Sequence, residues 1–200
     1  MSEARRPRVV VIAGPNGAGK SSAADELLRD VGIETFVNAD VIAALLSPGD
    51  PRSAAIEAGR RMLRQLSDLT TARRDFAFES TLSGRAFQRT FVSLAAEGYD
   101  IELHYFWLAT PAMAIERVRR RVELGGHDIP EPDIRRRFER SVENFYWIYR
   151  PLASRWHVHA GGETGAGRRI AEGGGAAVHI VRDSAAWSEL LRQAGGDPGC

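Results

Sequence analysis

Lysine is almost absent from this 200-residue chain: of its 27 basic residues one is lysine, Lys20, and the other 26 are arginine. Lysine Schiff bases, the strand lysine of protein kinases and Ser–Lys catalytic pairs each need a lysine side chain. Lys20 stands inside a phosphate-loop pattern, so those chemistries are set aside. The guanine-reading Asn-Lys-x-Asp motif of GTPases would need a second lysine, which makes a regulatory GTPase a poor reading. Cysteine is equally scarce. Cys200 stands alone and cannot form an internal disulfide, which fits a reducing compartment. No run approaches the roughly 18 apolar residues that span a membrane, and the apolar stretch after Met1–Arg8 is too short for a signal-peptide core. Net charge is also lacking: 27 basic against 26 acidic residues leave +1, which argues against nucleic acid as a partner. The expectation is one cytoplasmic domain over residues 1–200 with no membrane association.

What is present is an alternation of strands and helices. Val9 to Ala13 is a β-branched apolar run ended by glycine, as in a strand buried on both faces. Further strands are predicted over 34–37, 76–78, 101–108, 156–159 and 178–181. Helices are predicted over 21–30, 54–72, 85–97, from Pro111 to the Gly125-Gly126 stop, over 133–149 and over 184–191. Seven glycines fall between Gly161 and Gly175, and residues 161–175 are predicted to form a flexible surface loop. This pattern predicts an α/β fold, a three-layer sandwich of a mostly parallel sheet with helices on both faces; the phosphate-loop motif and the arginine-rich hairpin below make it of the P-loop NTPase or kinase type, with a helical lid.

Gly14-Pro15-Asn16-Gly17-Ala18-Gly19-Lys20-Ser21 matches G-x-x-x-x-G-K-[ST], directly after a strand and before a helix. Such a loop wraps backbone amides around a polyphosphate at the positive end of a helix. Gly14 through Ser22, with Arg117, are the expected ATP-binding residues. Lys20 supplies a point charge at the outer phosphates and Ser21 a hydroxyl for Mg²⁺. The later segment GETGAGR, residues 162–168, imitates this loop with arginine for lysine but follows no long apolar strand, and is read as a decoy.

Ligands of parallel sheets bind beyond the carboxyl ends of the strands. Asp40 and Glu79 fall there. Asp40 is the candidate base that accepts the proton of an acceptor hydroxyl, with a helix N-cap as its structural alternative. Glu79 is placed to order a metal's waters, with Ser21, or to hold the substrate; a plain turn acid is the bland alternative. Eight arginines crowd residues 116–140, opposed by six acids. Half of them read as solvated helix faces. The rest suggest a hinged hairpin lid over about 117–140 that brings guanidinium groups to the transferred phosphate. Arg117 and Arg121 share a helix face, whereas spacing does not choose between Arg136 and Arg137. His157 and His159 share one strand face with no third ligand in view, and a core or surface pair is the expectation.

GPNGAGKSS, FVNADVI around Asp40, FEST at 78–81 and RRRVELGGHDIPEPDIRRRFERSVENF from Arg119 resemble the zeta-toxin family of P-loop kinases, more closely its short stand-alone bacterial branch. The match runs from about Val9 to Tyr149. The resemblance implies an ATP- and Mg²⁺-dependent cytoplasmic kinase that phosphorylates a sugar hydroxyl of a UDP-N-acetylamino sugar, and an antitoxin protein as partner. It also implies Asp40 as base, Asn38, Glu79 and Thr81 at the substrate site, and Arg121 with Arg136 or Arg137 as lid arginines. The chain is shorter than the sugar-phosphorylating toxins, and His157-Val-His159-Ala-Gly-Gly lacks the Asp-Asn-Ser of relatives at this point. The other readings are an ATP-hydrolysing regulatory or interaction protein and a polynucleotide 5′-kinase.

Overall fold

The computed structural model describes residues 5–126, 128–162 and 167–196. Its centre is a seven-stranded sheet in the order β2-β3-β1-β4-β5-β6-β7. The strands are β1 (Arg8–Ala13), β2 (Phe36–Val37), β3 (Phe76–Ser80), β4 (Asp100–Trp107), β5 (Arg155–Ala160), β6 (Arg169–Gly174) and β7 (Ala177–Val181). The first five run parallel; β6 pairs antiparallel with β5 and with β7, so β7 runs again in the direction of the first five. Every residue from Val9 to Ala13 is buried, which requires cover on both faces of the central strand. The helices are α1 (Lys20–Val31), α2 (Ala39–Leu46), α3 (Ala55–Thr71), α4 (Ala86–Ala96), α5 (Pro111–Glu123), α6 (Glu131–Asn144) and α7 (Ser184–Gln193). The expected α/β sandwich is therefore present. No helix among the described residues is long and apolar enough to cross a membrane.

Aromatic contacts fix one face of the sheet. Tyr105 of β4 stacks on Phe145 at 4.0 Å, and its hydroxyl shares a 3.0 Å hydrogen bond with Ser141 of α6. Burial pushes that phenol far above its ordinary pKa, so it stays neutral. Trp156 of β5 lies parallel to Trp187 of α7 at 5.7 Å, and Trp107 donates to Gln193 of the same helix at 2.9 Å. Phe78 of β3 meets Phe91 of α4 edge-on. On α1, Ala23, Ala24, Leu27 and Leu28 form the buried stripe and pack the helix on β1 and β3.

The helix ends follow their sequence signals. Thr110 caps α5 by accepting from Met113 N at 3.2 Å, with Pro111 in the first turn where its missing N–H is harmless. Gly125, at φ +85°, turns the chain out of α5, and Gly126 N closes the end on Arg121 O at 2.9 Å. Two predictions need correction. The helix predicted to reach Tyr149 ends at Asn144 and continues as a π-helical turn, Phe145–Tyr149. Asn144 donates to Leu82 O at 2.8 Å and Tyr149 to Gly84 O at 2.6 Å, and the wider turn lets Phe145 and Tyr149 both stay buried.

The second correction concerns 161–175, predicted as loop: its last part is strand β6. Glycine reads as a loop signal, but here it answers a packing demand. A Cβ on Gly173 would stand 2.4 Å from the Trp156 ring, so the strand passes under that ring only as glycine. Residues 163–166, which hold most of the decoy phosphate loop, lie outside the described residues.

Trp156 is fully buried between Phe145 and Trp187 and donates to Gly175 O at 3.0 Å. Trp156→Ala is expected to lower the unfolding free energy by about 3–5 kcal/mol, measured by urea denaturation; a loss below about 1 kcal/mol would show that this stack does not hold β5 and β6 to α7.

Candidate functional site

The phosphate loop links the end of β1 to the start of α1. Gly14, Gly17 and Gly19 all have positive φ. At Gly19 the reason is direct: φ is +85° and a Cβ would stand 2.4 Å from Gly162 O. The helix begins on Gly19 without a side-chain cap, which leaves its first amides available to an anion. Lys20 is 6% exposed. Its ammonium donates to Pro15 O at 3.0 Å and lies 3.7 Å from Glu79 Oε1. Burial holds the Lys20 pKa below the ordinary lysine value, with repulsion from Arg121 adding to it, while Glu79 and Asp40 pull the other way.

Sheet order places the acids. β3 lies between β1 and β2, and the register sets Ile12 beside Glu79 and Val37 beside Phe78. Glu79 therefore emerges beside the root of the phosphate loop, and Asn38 beside Glu79. One oxygen, Glu79 Oε2, accepts from Ser21 Oγ at 3.0 Å and from Asn38 Nδ2 at 3.1 Å. The capping role weighed for Asp40 belongs to Asn38, whose Oδ1 accepts from Asp40 N at 2.7 Å and Val41 N at 3.4 Å. That single amide group thus ties the Glu79 carboxylate to the first turn of α2. Asp40 lies one step inside that turn, exposed and on the wall of a cavity of about 370 Å³.

The same cavity is lined by Asn16, Lys20, Ser21, Ser22, Glu79 and Thr81 on the sheet side and by Arg117, Arg120 and Arg121 on the α5 side. Asn16 Oδ1 is buried there with no hydrogen-bond partner among the described residues. Gly14, Pro15, Ala18 and Asn38 support the wall rather than form it. Arg117 and Arg121, expected to share a helix face, both line the cavity. The Arg117 guanidinium spans Gly17 O, Gly161 O and Gly162 O at 3.4, 3.1 and 3.2 Å, stapling the phosphate loop to the segment after β5. Thr81 shares a 2.9 Å hydrogen bond with Ser83, and its carbonyl accepts from Ser141 at 2.6 Å.

Arg136 and Arg137 are not on the cavity wall. Arg136 is exposed and pairs with Asp133 at 2.7 Å. The buried stripe of α6 runs through Ile134, Phe138, Ser141 and Val142, which leaves Arg136 exposed and Arg137 half-buried at the edge of the stripe. The hairpin expected as a lid is rooted in the core through this stripe and through Ala114 and Val118 of α5. Spacing did not single out Arg120, because helix rotation relative to the loop is set by packing. Nor did it find Gly162, brought in by the close approach to Gly19.

The oxygens of Ser21 and Glu79 form a hard-donor pair of the kind Mg²⁺ takes, and they meet at the end of the phosphate loop. The site can therefore accommodate a polyphosphate with its cation, facing a carboxylate.

Similar proteins share this architecture. An uncharacterized protein of Haemophilus influenzae is 28% identical over 131 residues, covering 66% of this chain and 92% of that one. The crystal structure of AvrRxo1-ORF1:-ORF2 with ATP superposes at TM-score 0.70 and 16% identity over 94% of this chain, which spans 64% of that one. A structure of the PezAT chromosomal toxin-antitoxin system of Streptococcus pneumoniae superposes at TM-score 0.58 and 13% identity, covering 78% of this chain and 68% of that one. A family model described as an AAA domain matches residues 9–143, well over half of the sequence, and the chain belongs to that family.

Proposed function

We propose that the protein is an ATP- and Mg²⁺-dependent kinase that transfers the γ-phosphoryl group to a hydroxyl of a small molecule. The observation that carries this reading is one cavity that joins the phosphate loop, the Ser21–Glu79 pair, the Asp40 carboxylate and the α5 arginines. The triphosphate lies along the loop amides and Lys20. Mg²⁺, held by Ser21 and Glu79, would offset charge on the phosphate oxygens. Asp40 accepts the proton as the acceptor oxygen attacks the γ-phosphorus and the bond to the β-phosphate oxygen breaks. Arg121, with Arg120 beside it, stabilises charge on the transferring group. ADP leaves with the bridging oxygen, and the acceptor carries the phosphate as its ester.

The likeness to a crystal structure with ATP and to one of a toxin-antitoxin system supports a narrower version. In it the acceptor is a UDP-N-acetylamino sugar, as in zeta-type toxins, and a small antitoxin protein restrains the enzyme. Thr81, on the wall, then belongs to the acceptor end of the cavity, with Asn38 behind it holding Glu79 in place. The test is incubation with labelled ATP and a metabolite extract, with a UDP-N-acetylamino sugar assayed separately. Label is expected in a phosphate ester of an alcohol. Turnover of ATP with no labelled acceptor would refute the kinase reading, and label in another alcohol alone would remove only the sugar nucleotide.

Asp40→Asn is expected to bind ATP as tightly as the wild type in calorimetry while losing transfer to the acceptor; unchanged turnover removes Asp40 as the base. Arg121→Ala is expected to lower kcat on the order of 10³-fold, whereas Arg136→Ala stays within a few fold, since its guanidinium is spent on Asp133. The reverse ranking would show that the second arm supplies the working arginine. Gly19→Ala forces a side chain into the Gly162 carbonyl and is expected to abolish ATP-dependent thermal stabilisation; an undiminished Tm shift would mean that the loop can relax around a Cβ.

A further inference from the structure

The face of β4, β5 and β6 opposite the aromatic layer carries ionisable side chains where strand interiors usually bury aliphatic ones. Glu102 and His104 alternate along β4 and share that face. The register sets His104 beside His157 of β5 and Glu172 of β6 opposite His157. Spacing along β5 shows only His157 and His159; strand order adds the missing partners, because β4 is the neighbour of β5. His104 is fully enclosed at 2% exposure. The His157 and Glu102 side chains keep 14% and 19%, enough for an ion or a water to reach them.

The distances have a recognisable scale. Glu102 Oε1 lies 3.0 Å from His104 Nε2 and 3.3 Å from His157 Nε2, and one ligand atom from each of the three residues lies within 4.8 Å of the others. Ligands bonded to zinc at about 2.0–2.1 Å in a tetrahedron stand roughly 3.3 Å apart. Each group is also oriented from behind. His104 Nδ1 is 3.1 Å from His159 Nε2, and His157 Nδ1 is 3.4 Å from Glu172 Oε2. Arg155 holds the other oxygen, Glu102 Oε2, at 3.2 Å, which leaves Oε1 turned to the imidazoles. With Nε2 lone pairs on a cation, the His104 Nδ1–H has an acceptor in His159 Nε2, while His157 Nδ1, buried without a hydrogen bond among the described residues, faces the Glu172 carboxylate. Outer partners of this kind accompany metal-bound histidines. A neutral imidazole and an ionised carboxylate are the forms that ligate.

We propose that Glu102 Oε1, His104 Nε2 and His157 Nε2 bind one divalent cation of the zinc class, with the fourth position left to water. The donor set separates this site from the Ser21–Glu79 pair: two nitrogens select a borderline transition ion, whereas the all-oxygen pair suits Mg²⁺. The cation clamps β4 to β5 below the point where Gly161 N bonds Trp107 O at 2.6 Å. The proposal is independent of the kinase reading.

The test uses the full chain, stripped with chelator and dialysed into millimolar Mg²⁺ so that oxygen-only sites are filled. Zn²⁺ is expected to bind at one equivalent and raise Tm, and Co²⁺ to give the intense visible absorption of a four-coordinate site. Glu102→Gln and His157→Gln, at partly exposed positions, are each expected to weaken Zn²⁺ binding at least tenfold. In the wild type, histidine ¹⁵N spectra should show the Nε2 signals of His104 and His157 moving on Zn²⁺ addition, a readout that does not depend on the variants folding. Absence of Zn²⁺ binding over the Mg²⁺ background, unchanged affinity in both variants, or unmoved Nε2 signals would each overturn the proposal.

Discussion

The carboxylate of Glu79 is the point on which the site depends. It takes hydrogen bonds from Ser21 and Asn38 and lies within ion-pair range of Lys20, so it joins the phosphate loop, the end of β2 and the start of α2. An acid so enclosed is tolerable only with such partners. Removing any one of them would leave charge behind in a place that water reaches poorly. The order of the first three strands exists, in effect, to deliver this one side chain between two loops that are distant in sequence.

Lys20 bears the opposite cost. Its ammonium is buried against a carbonyl and a carboxylate, and burial disfavours the charged form, a cost in stability of the kind functional sites carry. The His–Glu face of β4 and β5 follows the same rule with the signs rearranged, since there carboxylates and arginines neutralise each other in rows.

The phosphate loop was legible in sequence because all its parts are local, and Glu79 and Asp40 because a topological rule places ligands at strand ends. The aromatic run of β4 also declared itself by composition. What failed were quantities fixed by three-dimensional packing. The rotation of α6 about its axis decides that Ile134 and Phe138 face inward and Arg136 outward, and residue spacing gives two equivalent solutions until the neighbour is known. Gly173 and Gly174 read as loop residues because composition does not reveal that Trp156 requires an empty position opposite it. Asp40 and Asn38 exchanged the capping role because either side chain could serve, and only the turn geometry chooses. The Glu102–His104–His157 cluster was invisible for a simpler reason: its members come together only once β4 and β5 are known to be neighbours.

Arg117 has a mechanical consequence. Its guanidinium binds three carbonyls on two separate segments while its backbone belongs to the middle of α5. The hairpin of α5 and α6 is therefore bolted to the phosphate loop partway along its length. Arg121 follows one turn later on the same unbroken helix, so the bolt that holds Arg117 also fixes how far the Arg121 side chain reaches over the cavity.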